Sequence, residues 1–259
     1  ASSHGLDQRR LDSVPIAAAA FTNLTRDHLD YHGTMKKYAS AKKRLFEDLL
    51  IDDGLAILNA DDQFSEELVK SSRDRGHEIL TYGFSGKDAK IVSLNPSKQG
   101  QELILEAFGH RVKVNIPMVG SFQVSNILCA ATIAIGLGSD IRDTIATLEI
   151  LEGIAGRIEF VGTTLSNAQV YVDYAHSPAS MSELLRALRP HTKSRLHLVF
   201  GCGGERDKGK RPQMGAVANR LADKIIVTDD NPRFENPNEI RKQIISSCGS
   251  STFGKPFSQ

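Results

Sequence analysis

The sequence contains no tryptophan, only three cysteines and almost no net charge. Cys129, Cys202 and Cys248 are widely spaced and odd in number, which argues against a disulfide framework or a zinc site and reads as reduced thiols of a cytoplasmic protein. A formal charge of +1, from 32 basic and 31 acidic side chains, argues against a nucleic-acid or membrane surface as the main partner. There is no apolar run long enough to span a bilayer, no stretch that reads as a signal peptide, and no internal repeat or low-complexity tract. What is present is ordinary: 259 residues, 40% apolar, enough for one large or two ordinary domains with real cores.

One helix stands out. Apolar side chains at Met35, Tyr38, Ala39, Leu45, Phe46 and Leu49 predict a helix over 35–50, with Thr34 as its cap after Gly33. Lys42 falls inside that stripe, whereas Lys36, Lys37, Lys43, Arg44, Glu47 and Asp48 lie mostly on the other side. At this point two readings stand: Lys42 buries its stem and sends its ammonium to water, or it is there for chemistry. Upstream, Asn23, Arg26, Asp27, His28, Asp30 and His32 crowd a short loop after the apolar run 16–21, where a strand end presents them. Such a loop is a better place for chemistry than for packing.

Residues 21–46, F-T-N-L-T-R-D-H-L-D-Y-H-G-T-M-K-K-Y-A-S-A-K-K-R-L-F, resemble the central-domain motif of the Mur ligases, ATP-dependent amide-forming enzymes of peptidoglycan precursor assembly. The resemblance implies that Lys42 is carbamylated by carbon dioxide and that His28 binds Mg2+. An amine reacts with carbon dioxide only when neutral, and burial lowers a lysine pKa from about 10.4 towards that state. The product is an anionic oxygen ligand suited to a hard cation. Residues 1–10, A-S-S-H-G-L-D-Q-R-R, are similar to the family's S-S-H-G-L-x-Q-x-R segment, which implies that Ser2, Gln8 and Arg10 contact a UDP-muramoyl-dipeptide; His4 is read as structural. Without the resemblance, Arg9 and Arg10 are an ordinary solvated pair. That segment lies well inside the family's central domain, so the chain is expected to be a fragment.

Beyond the Lys42 helix the pattern alternates: a strand at 55–59 ending in N-A-D-D, a polar helix to about 75, and a strand at 78–82, which predicts a parallel sheet. Period-two runs at 91–94, 102–107 and 112–116 predict an antiparallel meander at its edge. An apolar helix over 122–135 carries Asn126, which is either a satisfied core amide or, by the family's G-x-x-x-x-x-N element from Gly120, a contact to the adenine of ATP. After a helix at 141–148, Gly153 and Gly156 mark a hinge, and Arg157 is either a surface arginine or the family's phosphate-reaching arginine.

From residue 169 the order is strand 169–173, helix 178–188, strand 196–200, helix 212–221, strand 224–228 and helix 237–247, a Rossmann-like doubly wound pattern with functional residues expected at the carboxyl ends of strands. D-Y-A-H-S-P at 173–178 resembles the family's D-Y-A-H-T/S-P motif, which implies that Asp173 meets the ATP ribose and places His176 by the nucleotide; loop packing alone is the other account of His176. Ser177 and Pro178 suit an N-cap and first helical residue. Gly204, Gly209 and Lys210 have Walker A spacing, but Arg211 stands at the Ser/Thr position and Glu205 and Asp207 repel phosphate. The segment instead resembles the G-C-G-G-x-R-D-x-G-K-R motif of the family's tripeptide synthetases, with Arg206 on the incoming amino acid's carboxylate. D-N-P-R, formed by Asp230, Asn231, Pro232 and Arg233, is the family's element for meso-diaminopimelate, and Arg233 offers a fork for the distal carboxylate that lysine lacks.

The expected fold is therefore α/β: a Mur-ligase central domain over 1–152 with a parallel sheet and an antiparallel edge meander, then a Rossmann-like amino-acid-binding domain over 153–259, both incomplete. The implied reaction adds meso-diaminopimelate to UDP-N-acetylmuramoyl-L-alanyl-D-glutamate with ATP and Mg2+ through an acyl phosphate, in a monomer of the bacterial cytoplasm. With no Walker A loop in it, the isolated chain is expected to have little or no activity. A lysine-adding or folylpolyglutamate-type ligase, a metal hydrolase using His28 and His32, and a non-catalytic scaffold are the rivals.

Overall fold

The computed structural model describes residues 1–25, 28–97 and 100–248. Arg26 and Asp27 of the polar loop, the side chain of Asp30, and all but the first residues of the 246–259 tail lie outside the described residues. The chain forms two compact units, the first made of Ala1–Asn95, Gly100–Pro117 and Ser121–Leu151, the second of Pro96–Gln99, Met118–Gly120 and Glu152–Gln259.

The first unit is built on a six-stranded sheet in the order β1 (Ile16–Phe21), β2 (Leu50–Asn59), β3 (Glu78–Gly83), β4 (Ala89–Pro96), β5 (Gln101–Ala107) and β6 (His110–Ile116). Strands β1 to β4 pair in parallel and β5 with β6 antiparallel. The neighbouring order β4-β5-β6 matches the meander expected from residue 91 on, and β4 joins it to the rest of the sheet by pairing with β3 in parallel, after Gly83 at φ +117. Phe21 lies beside Leu58 and Asn59 beside Tyr82, so three strands end at one edge and their loops leave it together.

Side-chain alternation covers both faces. Ala19, Phe21, Ala56 and Leu58 form a buried cluster with Phe46, Leu50 and Leu68, the last from α4 (Ser65–Asp74). On the opposite face Leu55 meets α5 (Ser121–Gly136), so closely that a Cβ at Gly136 would stand 2.5 Å from Leu55 Cδ2. Each such fully buried Leu or Phe contributes roughly 1.5–3 kcal/mol. The polar-loop region holds α1 (Ser3–Asp7), α2 (Leu29–His32) and α3 (Met35–Arg44), the first two too short to show a period. Thr34 caps α3 as expected, its Oγ1 accepting from Lys37 N at 3.2 Å, but Leu45–Leu49 continue as a π-helical turn that buries Phe46 and Leu49. α6 (Ile141–Thr147) follows α5.

In the second unit β7 (Glu159–Thr163) and β8 (Gln169–Val172) pair antiparallel. The sequence pattern does not reveal β7, because its register shifts between Phe160 and Gly162 and breaks the alternation. β9 (His197–Phe200) and β10 (Lys224–Val227) pair in parallel, Phe200 opposite Val227. Around them α7 (Pro178–Leu188), α8 (Lys210–Leu221) and α9 (Pro237–Ile245) contribute Met181, Leu185, Met214, Ala218 and Ile244 to a core shared with Leu198 and Ile225. Among the described residues no helix is long and apolar enough to cross a membrane.

Candidate functional site

At the carboxyl edge of the first sheet, Lys42 on α3 points back to the loop after β1. Its Nζ donates to the Asn23 carbonyl at 3.2 Å and stands 5.9 Å from the Phe21 ring centre and 5.3 Å from that of Tyr38. The side chain is half-buried, between the two readings of the sequence: neither free in water nor enclosed by apolar groups. A carbonyl and two ring faces are what an ammonium seeks, and they hold Nζ at the sheet edge.

His28 starts α2 in the left-handed region at φ 52, a conformation that non-glycine residues keep where surroundings fix it. Its exposed ring lies 4.8 Å from that of His4 and 6.1 Å from that of Tyr38, so His28 and Lys42 share Tyr38 as a neighbour. Ser2 caps α1 by accepting from Gly5 N at 3.1 Å, and Gln8 donates to the Tyr31 hydroxyl at 3.2 Å. Arg10 is exposed. His4 meets the rings of His28 and Tyr31, Gln8 reaches Tyr31, and His28 and Lys42 share Tyr38, so the structure brings Gln8, His28 and Lys42 into one neighbourhood, with Ser2 at the start of the helix that carries His4. Buried His32, whose Nε2 lies 3.0 Å from Ser3 Oγ, fixes α1 to α2 and is not available for a metal pair with His28.

The N-A-D-D run after β2 ties these loops together. Asn59 Nδ2 donates to the Thr22 carbonyl at 2.7 Å, and Asp62 accepts from Leu24 N at 2.8 Å. Asp61 accepts from Phe84 N and Ser85 N, both at 2.8 Å. The sequence marks this run only as a strand end; an amide and two carboxylates beside a parallel edge are the signal that would have found it. Asn126 is exposed on α5, while Gln123, Val124, Ile127 and Leu128 of the same helix are buried. The core-amide reading of Asn126 is therefore corrected: the apolar face of α5 turns it outward.

In the second unit, Asp173 is half-buried and already accepts from Ile158 N at 2.9 Å and Ala175 N at 2.7 Å, leaving one lone pair on each oxygen. Arg157 lies 5.2 Å from the ring centre of exposed Tyr174, and His176 meets the same ring edge-on at 5.2 Å. Ser177 and Ser180 form a capping box at the start of α7.

Parallel pairing of β9 and β10 sets the loops 201–209 and 228–236 side by side. Gly204 N donates to the Asn231 carbonyl at 2.9 Å, and Arg233 donates to the Gly204 carbonyl at 2.6 Å. Arg233 is exposed, as are Arg206, Asp230 and Asn231, while Pro232 is half-buried. Beneath them Arg211, with no solvent exposure, donates to both carboxylate oxygens of Glu235 at 3.0 Å, to Gln243 Oε1 at 2.8 Å and to the Gly203 carbonyl at 3.2 Å. The sequence assigns Arg211 no role beyond dismissing a phosphate loop and closing the G-C-G-G-x-R-D-x-G-K-R motif, and it gives no sign of Glu235.

Hydrogen bonds from Arg211, then the Glu205 N–H, hold the Glu235 carboxyl down at about 2. Its contribution to stability is complete above the ordinary carboxylate range and is lost as pH falls through about 2. The melting temperatures of the parent and of Glu235→Gln are expected to differ most near pH 6 and to converge as pH falls towards 2, measured by thermal scans; a constant gap would remove this account of Glu235.

Among the described residues no group of three or more His, Cys, Asp and Glu is placed to hold a metal. His28 and Lys42 approach the same Tyr38 ring; an ammonium gives Mg2+ no ligand, whereas an anionic oxygen at that position would suit it, with waters and substrate phosphate oxygens as the other ligands.

The family description "Mur ligase middle domain" matches residues 1–134, and "Mur ligase, glutamate ligase domain" matches residues 156–255. A relative from Caulobacter vibrioides, named UDP-N-acetylmuramoyl-L-alanyl-D-glutamate–2,6-diaminopimelate ligase, is 47% identical over 248 residues, covering 96% of this chain and 51% of its own. A relative of the same name from Zymomonas mobilis is 45% identical over 245 residues, covering 95% of this chain and 50% of its own. A solved structure of a ligase of that name matches with a TM-score of 0.70 at 37% identity, over 97% of this chain and 51% of that one. Folylpolyglutamate synthase from Mycobacterium tuberculosis matches with a TM-score of 0.70 at 20% identity, over 95% of this chain and 55% of that one, a likeness of fold alone. The chain spans about half the length of the curated relatives it matches.

Proposed function

The chain belongs to the Mur ligase family, and on that premise we propose that the complete protein is an ATP-dependent ligase joining meso-diaminopimelate to UDP-N-acetylmuramoyl-L-alanyl-D-glutamate in peptidoglycan precursor synthesis. The observation that carries the reading is the apposition of the G-C-G-G-E-R and D-N-P-R loops, with the Arg233 guanidinium exposed beside Gly204. One of its nitrogens is engaged by the Gly204 carbonyl, which aims the remaining edge; a planar fork so held suits a carboxylate.

ATP phosphorylates the γ-carboxylate of the D-glutamyl substrate, the diaminopimelate amine attacks the acyl phosphate, and the tetrahedral intermediate expels phosphate. Asn126 is assigned to adenine, Asp173 through its remaining lone pairs to ribose, Arg157 to the phosphates, and His176 to the nucleotide. Ser2, Gln8 and Arg10 are assigned to the UDP-muramoyl-dipeptide. Arg206, Asp230, Asn231, Pro232 and Arg233 orient the nucleophile, converting a bimolecular encounter into a positioned one. His28 and a carbamate on Lys42 would hold Mg2+, which when bound neutralises charge on the transferring phosphoryl group. The protein is read as a cytoplasmic monomer with small-molecule substrates only, and the two units as the family's central and amino-acid-binding domains.

The test supplies UDP-muramoyl-dipeptide, ATP and Mg2+ with either meso-diaminopimelate or L-lysine. The expected result is preference for diaminopimelate, with Arg233→Ala lowering kcat/KM for it by about 100-fold, the loss of roughly 3 kcal/mol of charge-assisted contact. Preference for lysine overturns the specificity; no ligation of either overturns the activity.

A further inference from the structure

We infer that Arg211 and Glu235 are positioning residues that fix the spacing of the loops carrying Arg206 and Arg233, and through it selectivity for an amino acid with a second carboxylate; this rests on the reading above. The charge of Arg211 is fully buried in α8, where an arginine is seldom found without a partner. Its fork reaches both loops at once, Gly203 on one and Glu235 on the other, while Gln243 of α9 holds it from a third side. Glu235 in turn accepts from Glu205 N, two residues beyond Gly203. Gly204, between them, is bonded to Asn231 and to Arg233.

The backbone gives a second sign. Glu205 at φ 52 and Arg233 at φ 50 both sit in the left-handed region, one on each loop, and each is pinned by a bond of this network. Non-glycine residues persist there where their surroundings over-determine them. A buried ion pair adds little stability over apolar side chains of the same volume; what it adds is one defined geometry. Arg206 follows Glu205 directly, so the direction in which the chain leaves Glu205 sets where Arg206 stands relative to Arg233.

The experiment uses the complete protein with Glu235→Gln and, separately, Arg211→Lys, varying each substrate in turn and following deuterium uptake of peptides spanning 201–207 and 229–235. The KM for meso-diaminopimelate is expected to rise about tenfold or more, with kcat and the KM for ATP within about threefold, and both loop peptides to exchange faster while α7 does not. Arg211→Lys gives the same shift, because one ammonium cannot hold Glu235, Gln243 and Gly203 together. A loss spread over all substrates, with protection falling throughout the second unit, overturns the inference in favour of a structural pair. An unchanged KM for diaminopimelate with unchanged loops overturns it too. If the unsubstituted protein ligates no diaminopimelate, the functional reading fails and takes the selectivity claim with it, and the exchange of the two loops alone decides whether the pair sets their spacing.

Discussion

Lys42→Arg is expected to lower the ligation rate about 1,000-fold or more, roughly 4 kcal/mol of transition-state stabilisation, while the melting temperature stays within about 4 °C of the parent. Arginine keeps the cation over the Phe21 and Tyr38 rings and a donor for the Asn23 carbonyl, so the half-buried position retains its packing. It cannot form a carbamate. The variant therefore separates the chemistry of Lys42 from its role in holding α3 to the loop after β1. The parent supplied with 13C-bicarbonate should show a carbamate carbon signal that Lys42→Arg lacks. Activity of the variant within tenfold of the parent would sink the carbamate assignment and leave Lys42 a structural cation.

Much of this was legible in the sequence, and the reasons differ by element. α3 is long enough to display a period, β1 and α5 stand out as apolar runs, and Thr34 and Ser177 announce their helices through side chains that accept from the next turn. α1 and α2, of five and four residues, have no room for a period. β7 hides behind a register shift. The site splits the same way. Residues in contiguous motifs, such as Asp230–Arg233, could be picked out as a string. Asn59, Asp62, Arg211 and Glu235 act across the fold on loops 24 to 38 residues away, and no local pattern encodes that reach. Periodicity reports which face Lys42 is on, not that a backbone carbonyl waits there, so it leaves both readings of Lys42 open.

Gly204→Ala should abolish selective use of diaminopimelate where the same change at its neighbour does little. A Cβ at Gly204 would stand 1.9 Å from the Pro232 carbonyl oxygen and 2.6 Å from its carbon. Those are backbone atoms, so relief requires the two loops to part, breaking the bonds of Gly204 N to Asn231 and of Arg233 to the Gly204 carbonyl. At Gly203 the nearest atom is the Arg233 guanidinium at 3.0 Å, the far end of a flexible side chain that need yield only a few tenths of an ångström and keeps its bond to the Gly204 carbonyl. Overpacking of the first kind costs about 1–3 kcal/mol, which the unit can survive, but an anchor displaced by an ångström costs of order 100-fold in rate. The expectation is a fall in kcat/KM for diaminopimelate of about 100-fold or more for Gly204→Ala and under about tenfold for Gly203→Ala, with the KM for ATP unmoved in both. One added methyl at adjacent positions leaves composition and propensity the same, so the ratio between the two variants reads the loop apposition directly. Equal and small effects would show that the two loops do not meet at Pro232 and would remove the structural ground for placing Arg206 and Arg233 on one substrate.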